Sequence, residues 1–473
     1  MRPPVRSKKM AVFALRPGQG VTTGQDLKKM VRIGLMASPK SLLDRRELMT
    51  GLGAATLLPT WPATGSAQGR RSLMLQAKAG VIALRQGQPD TAIWSLQAPT
   101  PDPLRFKRGE ELEVTVRNEL PVPTLLNWHG IDGLPATEAL VARAPLAPGA
   151  QEIFLMPLRH AGTILCDLRL LGDGQARPSA ACALIVAENE AVAVDRDQVL
   201  LIEDWRLGPD GSAVAPGTDP KETVAIYTVN GRPTPEIPIR ANERLRLRFI
   251  NGCQRNVIAI KIENQEVRVM AIDGQPSEPF LARGGAVVLA PGTRVDAFVD
   301  AMLAPGSTCQ ILLHDGKEAR TVARLVASNE PPARSTALPA ASPLPSNGLP
   351  AQLDLKNALR VDLTLGGTQD WVSPASFAAS AAPAYRAKKG RVVVLALTNR
   401  GELPAVFHLH GHHFRLLDRL DDGWKPFWLD TLAIEPGQTQ RIAFAAEHAG
   451  RWLLETMAAD WGAPRLVRWY DVE

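Results

Sequence analysis

One pattern occurs three times along this chain, and it restricts the fold more than any other feature of the sequence. A strand with period-two alternation ends at an asparagine, a Pro-Gly turn follows, and a later glycine opens a further strand. In the first copy Leu112, Val114 and Val116 alternate with Glu111, Glu113 and Thr115 and end at Asn118. In the second Leu245, Leu247 and Phe249 alternate with arginines and end at Asn251, and the third runs from Val392 through Val394 and Leu397 to Asn399. Period-two alternation marks half-buried strands, and asparagine suits the turn that closes each one. The turns are Pro148-Gly149, Pro291-Gly292 and Pro436-Gly437, spaced 143 and 145 residues apart, and the later glycines are Gly162, Gly306 and Gly450. A repeat of that length is a whole domain, so the pattern predicts an all-β chain of three homologous sandwiches and not a solenoid of short units. The expected boundaries are 68–192 for the first domain, 193–330 for the second, a Pro-rich linker at 331–352, and 353–473 for the third.

Charge separates the remaining segment, 1–67, from these domains. The 473 residues carry a net +6, but 1–67 hold eleven Lys or Arg against three Asp or Glu, which is +8 and leaves −2 for the rest. Basicity confined to a leader removes the main argument for a nucleic-acid partner. Within that leader Arg45 and Arg46 precede a short apolar run, Leu48 to Leu58, and then the small residues Gly65-Ser66-Ala67. This order is that of a secretory signal, too short to span a bilayer, and the paired arginines resemble the twin-arginine type. The residues before Met36 fit neither part, which makes Met36 a candidate start. Export of this kind points to the periplasm, and no later segment is apolar enough for a transmembrane helix. The four cysteines, Cys166, Cys182, Cys253 and Cys309, would then lie in a disulfide-permissive compartment; they allow three pairings, with buried free thiols as the default expectation.

Four short motifs carry a family resemblance. Asn127-Trp128-His129-Gly130, followed by Asp132-Gly133-Leu134-Pro135, resembles the first copper motif of multicopper oxidases, normally His-Trp-His-Gly. His160-Ala161-Gly162-Thr163 resembles the approach to the second, Phe407-His408-Leu409-His410-Gly411-His412 most of the third, and Gly450-Arg451-Trp452-Leu453 the approach to the fourth. Val229-Asn230-Gly231-Arg232 and Asp273-Gly274-Gln275-Pro276 extend the likeness through the middle domain. The resemblance implies three tandem Greek-key cupredoxin-like sandwiches. It also implies copper chemistry: a type 1 copper held by a thiolate and two imidazoles, and a trinuclear cluster held by eight imidazoles, ligands that suit copper by softness.

That ligand set needs ten histidines, whereas the chain has eight in all. Carried over position by position, Asn127 stands at a type 2 histidine, Asp167 and Arg169 at two type 3 histidines, and Ala405 at a type 1 histidine. Glu455, Thr456 and Met457 stand where His-Cys-His belongs, and Trp461 at the last type 1 histidine. Only His129, His408 and His410 keep ligand identities. The resemblance therefore excludes the four-copper set and leaves either no cofactor or a single residual copper on these three histidines, with Asp167 and Glu455 as possible oxygen ligands. The bland reading is that the three are buried polar groups bonded to neighbours, with His412 and His413 beside them at the surface or supporting.

A guanidinium at Arg169 inside this volume would need a carboxylate, and the expected partner is Glu455, with Asp167 as second acceptor. Copper-free relatives with the same three-domain build and twin-arginine export occur among bacterial cell-division proteins, so the resemblance offers a periplasmic scaffold or binding protein with an unnamed protein partner as one reading and a copper-binding oxidoreductase as the other. No nucleophile elbow, phosphate loop or Cys-x-x-Cys supports a different chemistry, and carboxylates such as Asp430 and Asp460 read as solvated or capping groups.

Overall fold

The computed structural model describes residues 70–98, 103–336, 338–366, 370–418 and 425–473. The leader, with the proposed signal at Arg45 and Arg46, lies outside the described residues. Six sheets pair two by two around three apolar cores. In the first sandwich the strands Arg70–Ile82, Thr91–Gln97, Glu111–Asn118 and Gln151–Pro157 face a sheet made of Leu104–Lys107, Asn127–His129, Gly162–Asp167 and Cys182–Ala187. Leu112, Val114 and Val116 project from the first sheet onto Ile164, Leu184 and Val186 of the second, as their alternation requires.

The three asparagines do the same work in each copy. The Asn118 side chain donates to the carbonyls of Val122 and Leu146, each at 2.8 Å, and accepts from the Leu120 amide at 3.0 Å. Asn251 donates to Asn256 and Leu289 and accepts from Cys253. Asn399 donates to Leu403 and Ile434 and accepts from Gly401. The glycines of the Pro-Gly turns, Gly149, Gly292 and Gly437, each donate their amide to the backbone carbonyl of the corresponding asparagine at 2.8–2.9 Å. Each repeat thus pins its turn to the end of its alternating strand, and satisfies backbone groups that would otherwise be buried unpaired.

Two strands depart from the half-buried expectation. Every residue of Arg244–Asn251 is buried, arginines included, because the polar face of this strand is covered by the junction of the sandwiches. Arg246 pairs with Asp296 at 2.6 Å and with Glu188 at 2.7 Å, and Arg248 bridges Asp296 and Asp197. Thr163 of the first sandwich closes this network, donating to Asp296 at 2.7 Å and accepting from Arg248 at 2.9 Å. In the third copy Val393, Leu395 and Leu397 fill the core, while Val394 faces an outer cluster with Leu353 and Trp428.

The Pro-rich stretch is docked and not a loose spacer. Its Asn347 is buried and exchanges two hydrogen bonds with the backbone of Ala161, at 2.9 and 2.8 Å, while donating to Gln275 at 3.0 Å. The described residues accordingly form one compact unit. At the same junction Gly162, with φ +151°, lies so close to Gly274 that a Cβ would sit 2.4 Å from the Gly274 carbonyl oxygen, so only glycine fits there. All four cysteines are buried free thiols.

Candidate functional site

Strand geometry brings the three predicted histidines together. Asn127 and His129 are two residues apart on Asn127–His129 and so share a face, with Trp128 turned into the core. His408, at the end of Ala405–Leu409, and His410 just beyond it face them from the third sandwich. The ring centroids of His129 and His408 are 4.2 Å apart and those of His408 and His410 are 4.5 Å apart. Burial holds the imidazoles of His129 and His408 well below their ordinary pKa, so both are neutral at neutral pH.

His408 Nδ1 lies 3.0 Å from the Thr431 hydroxyl and 3.1 Å from the Asp430 carbonyl. His410 Nδ1 lies 2.7 Å from Glu138. The far nitrogens are unpartnered: His408 Nε2, His410 Nε2 and His129 Nδ1 are buried without a hydrogen-bond partner, as are Asn127 Nδ2 and Glu455 Oε2. Asn127, Glu138, His408, His410 and Asp430 line a cavity of about 20 Å³, room for a single water or ion. Gly411 closes one side, packed so tightly on the Trp452 ring that a Cβ would overlap it at 2.1 Å.

Arg169 does not pair with Glu455. It leaves the short turn Arg169–Leu171 toward the second sandwich, where Nη2 meets Glu203 at 2.6 Å, Nε donates to the Ser179 carbonyl at 3.3 Å and Nη1 to the Gly252 carbonyl. Burial pushes the Glu203 carboxyl up to about 7, with the Arg169 charge opposing it. Asp167 accepts the backbone amide of Arg169 at 2.9 Å, not its guanidinium. Glu455 is instead ion-paired with Arg465, a buried residue that no motif singled out. Arg465 opens Arg465–Val472, the strand beside Gly450–Ala458, and its one sequence signal is a charged residue heading a largely apolar strand.

The remaining positions are filled by packing. Met457 clusters with Ala290 and Val406, Ala405 joins the third core, and Thr456 donates to the Val406 carbonyl at 3.0 Å. Trp461 donates to the Ala215 carbonyl at 3.1 Å, and Arg206 lies over its ring.

Asp430 is not solvated. It is buried and takes Arg294 Nη1 at 3.0 Å and Nη2 at 2.6 Å; burial pushes its carboxyl up, but Arg294 together with the neighbouring imidazoles holds it well below the usual carboxylate range. Arg294 also donates to the carbonyls of Thr163, Gly292 and Asp273, so one guanidinium ties all three sandwiches. Asp460, by contrast, caps a turn by accepting the Gly462 amide. His412 and His413 are buried as well, His412 against Tyr470 and His413 between Asp132 and the Asp273 carbonyl. Among the described residues one set of three or more His, Cys or carboxylate side chains has its donor atoms within 4.8 Å of one another, and it is Asp132, His160 and His413, not the three predicted histidines.

Known proteins share this build. The chain matches three family models, each described as multicopper oxidase, over residues 80–169, 195–311 and 352–468. It is 24% identical over 421 residues to multicopper oxidase MmcO of Mycobacterium tuberculosis, covering 75% of this chain and 78% of that protein. It is 23% identical to copper resistance protein A of Pseudomonas syringae pv. tomato over 51% of this chain and 50% of that protein. Among solved structures, a multi-copper oxidase from Pseudomonas thermotolerans superposes with a TM-score of 0.74 at 25% identity, covering 86% of this chain and all of the other. From the three matched domains and the shared three-sandwich architecture, the chain belongs to the multicopper oxidase family.

Proposed function

We propose that this chain is an exported family member that no longer works as an oxidase and acts in the periplasm as a scaffold or binding protein. The observation that carries this reading is the Glu455–Arg465 ion pair: a carboxylate at a former ligand position is matched by a guanidinium from the neighbouring strand, so charge inside the old cluster is supplied by the protein. The residues present do not fit a four-copper set. Thr456, Ala405 and Trp461 offer neither thiolate nor imidazole to a type 1 copper, and Asp167, Arg169 and Met457 replace cluster imidazoles.

A second reading is a single residual copper. It is favoured by the unpartnered nitrogens of His129, His408 and His410, since a buried polar atom left unpaired costs about 1–3 kcal/mol. The donor nitrogens of the three do not all lie within 4.8 Å of one another, so these imidazoles would have to close on such an ion, which would supply Lewis acidity or one-electron exchange. Metal analysis of protein purified from a copper-supplemented periplasm, compared with its His408→Gln variant, separates the readings: a copper content that the substitution leaves unchanged supports the scaffold, and about one copper per chain lost on His408→Gln supports the binder.

A further inference from the structure

We propose a second metal site, one that binds a divalent transition ion between Asp132, His160 and His413 and staples the first sandwich to the third. Asp132 and His160 belong to the first sandwich and His413 to the third. Asp132 Oδ2 lies 2.6 Å from His413 Nδ1 and 3.7 Å from His160 Nδ1, so one carboxylate oxygen sits between two imidazole nitrogens. Two imidazoles and one carboxylate, with positions left for water, are a donor set that suits zinc and its first-row neighbours.

The surroundings fix which nitrogen of each ring carries a proton. His413 Nε2 lies 2.8 Å from the Asp273 carbonyl and donates to it, which leaves Nδ1 as the nitrogen facing Asp132. His160 Nδ1 lies 3.1 Å from the Gln275 amide nitrogen. The orientation of that amide is set from behind, because Gln275 Oε1 accepts from Asn347 at 3.0 Å and Asn347 is itself locked to Ala161. Gln275 therefore donates to His160 Nδ1, which is the unprotonated nitrogen, and an ion bound there takes over the lone pair that this hydrogen bond uses. A cation entering here replaces the proton shared by His413 and Asp132, and that proton leaves to solvent.

Access and charge agree with the assignment. The His160 side chain is 18% exposed, and two small cavities adjoin Asp132, one bordered by Arg159 and His160, the other by His412, His413 and His448. The carboxylate of Asp430 lies 3.8 Å from His413 Nε2 on the inner side, its charge balanced by Arg294. Arg159 and His448 stand on the outer side, Arg159 held to the Gly133 carbonyl.

The test is a zinc titration of the full mature chain after chelator treatment, read by competition with a chromogenic chelator. Wild type should take up one zinc per chain. His160→Gln, at a partly exposed position, should weaken binding by more than the roughly 10–100-fold that loss of a supporting partner costs. His408→Gln should leave it unchanged. X-ray absorption of zinc-loaded wild type, which needs no variant, should give two imidazoles and a carboxylate. No zinc uptake, equal affinity in His160→Gln, loss of binding in His408→Gln, or a shell of three imidazoles would each overturn the proposal.

Discussion

Arg294 holds Asp430 through both terminal guanidinium nitrogens, at 3.0 and 2.6 Å, across the boundary between the second and third sandwiches. Both side chains are buried, and the same guanidinium reaches the Thr163 carbonyl of the first sandwich. Removing one member of such a pair leaves the other charge buried without compensation. Asp430→Ala should therefore cost about 3–5 kcal/mol, read as a lower denaturant midpoint. A loss within about 0.5 kcal/mol, the size of a surface substitution, would mean that the junction is wetter than described.

Arg169 and Arg465 have separate partners. A double-mutant cycle in chemical denaturation should give a large coupling between Arg169 and Glu203 and a smaller one between Arg169 and Glu455. Glu455→Ala should still destabilise the protein, because it strands Arg465. Equal coupling of Arg169 to both carboxylates would contradict the geometry.

Asp197 links Arg105 of the first sandwich to Arg248 of the second. Burial pushes its carboxyl up, but the Arg248 hydrogen bonds and charge outweigh it and hold the group at about 2. A carboxylate depressed on folding adds stability that is present above its unfolded pKa and is lost as the pH falls through the folded one. The contribution should be about 2 kcal/mol at neutral pH and vanish between roughly pH 4 and pH 2. Asp197→Asn should flatten the stability profile in that window, and an unchanged profile would assign the acid sensitivity elsewhere.

Much of this architecture was legible in the sequence, and the reason is periodicity. Asn118, Asn251 and Asn399 repeat at domain spacing because each pins a turn by the same three bonds. The positions that the resemblance aligns with copper ligands could be named because they lie inside motifs of short range. Partners were not. Glu203 is 34 residues from Arg169 and on another sandwich, and the direction in which a long side chain leaves a short turn is set by the surface it meets. Asp430 looked isolated because Arg294 lies 136 residues away. Arg465 sits outside every motif, and the arginines of Arg244–Asn251 read as a solvent face because nothing local announces that another sandwich covers them.

The proposed export rests on Arg45 and Arg46. Replacing both with lysine keeps the charge but removes the guanidinium geometry, and should leave unprocessed precursor in the cytoplasm. Normal processing would assign the chain to the general secretory route.

The central claim, that this family member has given up oxidase chemistry, is tested most directly by the visible spectrum and oxygen consumption of copper-loaded protein. With Thr456 in place of the thiolate and Ala405 and Trp461 in place of the imidazoles, loaded protein should be colourless and should consume no oxygen with phenolic dyes. A blue sample, with the intense absorption of a thiolate-bound copper and dye oxidation to match, would contradict the account.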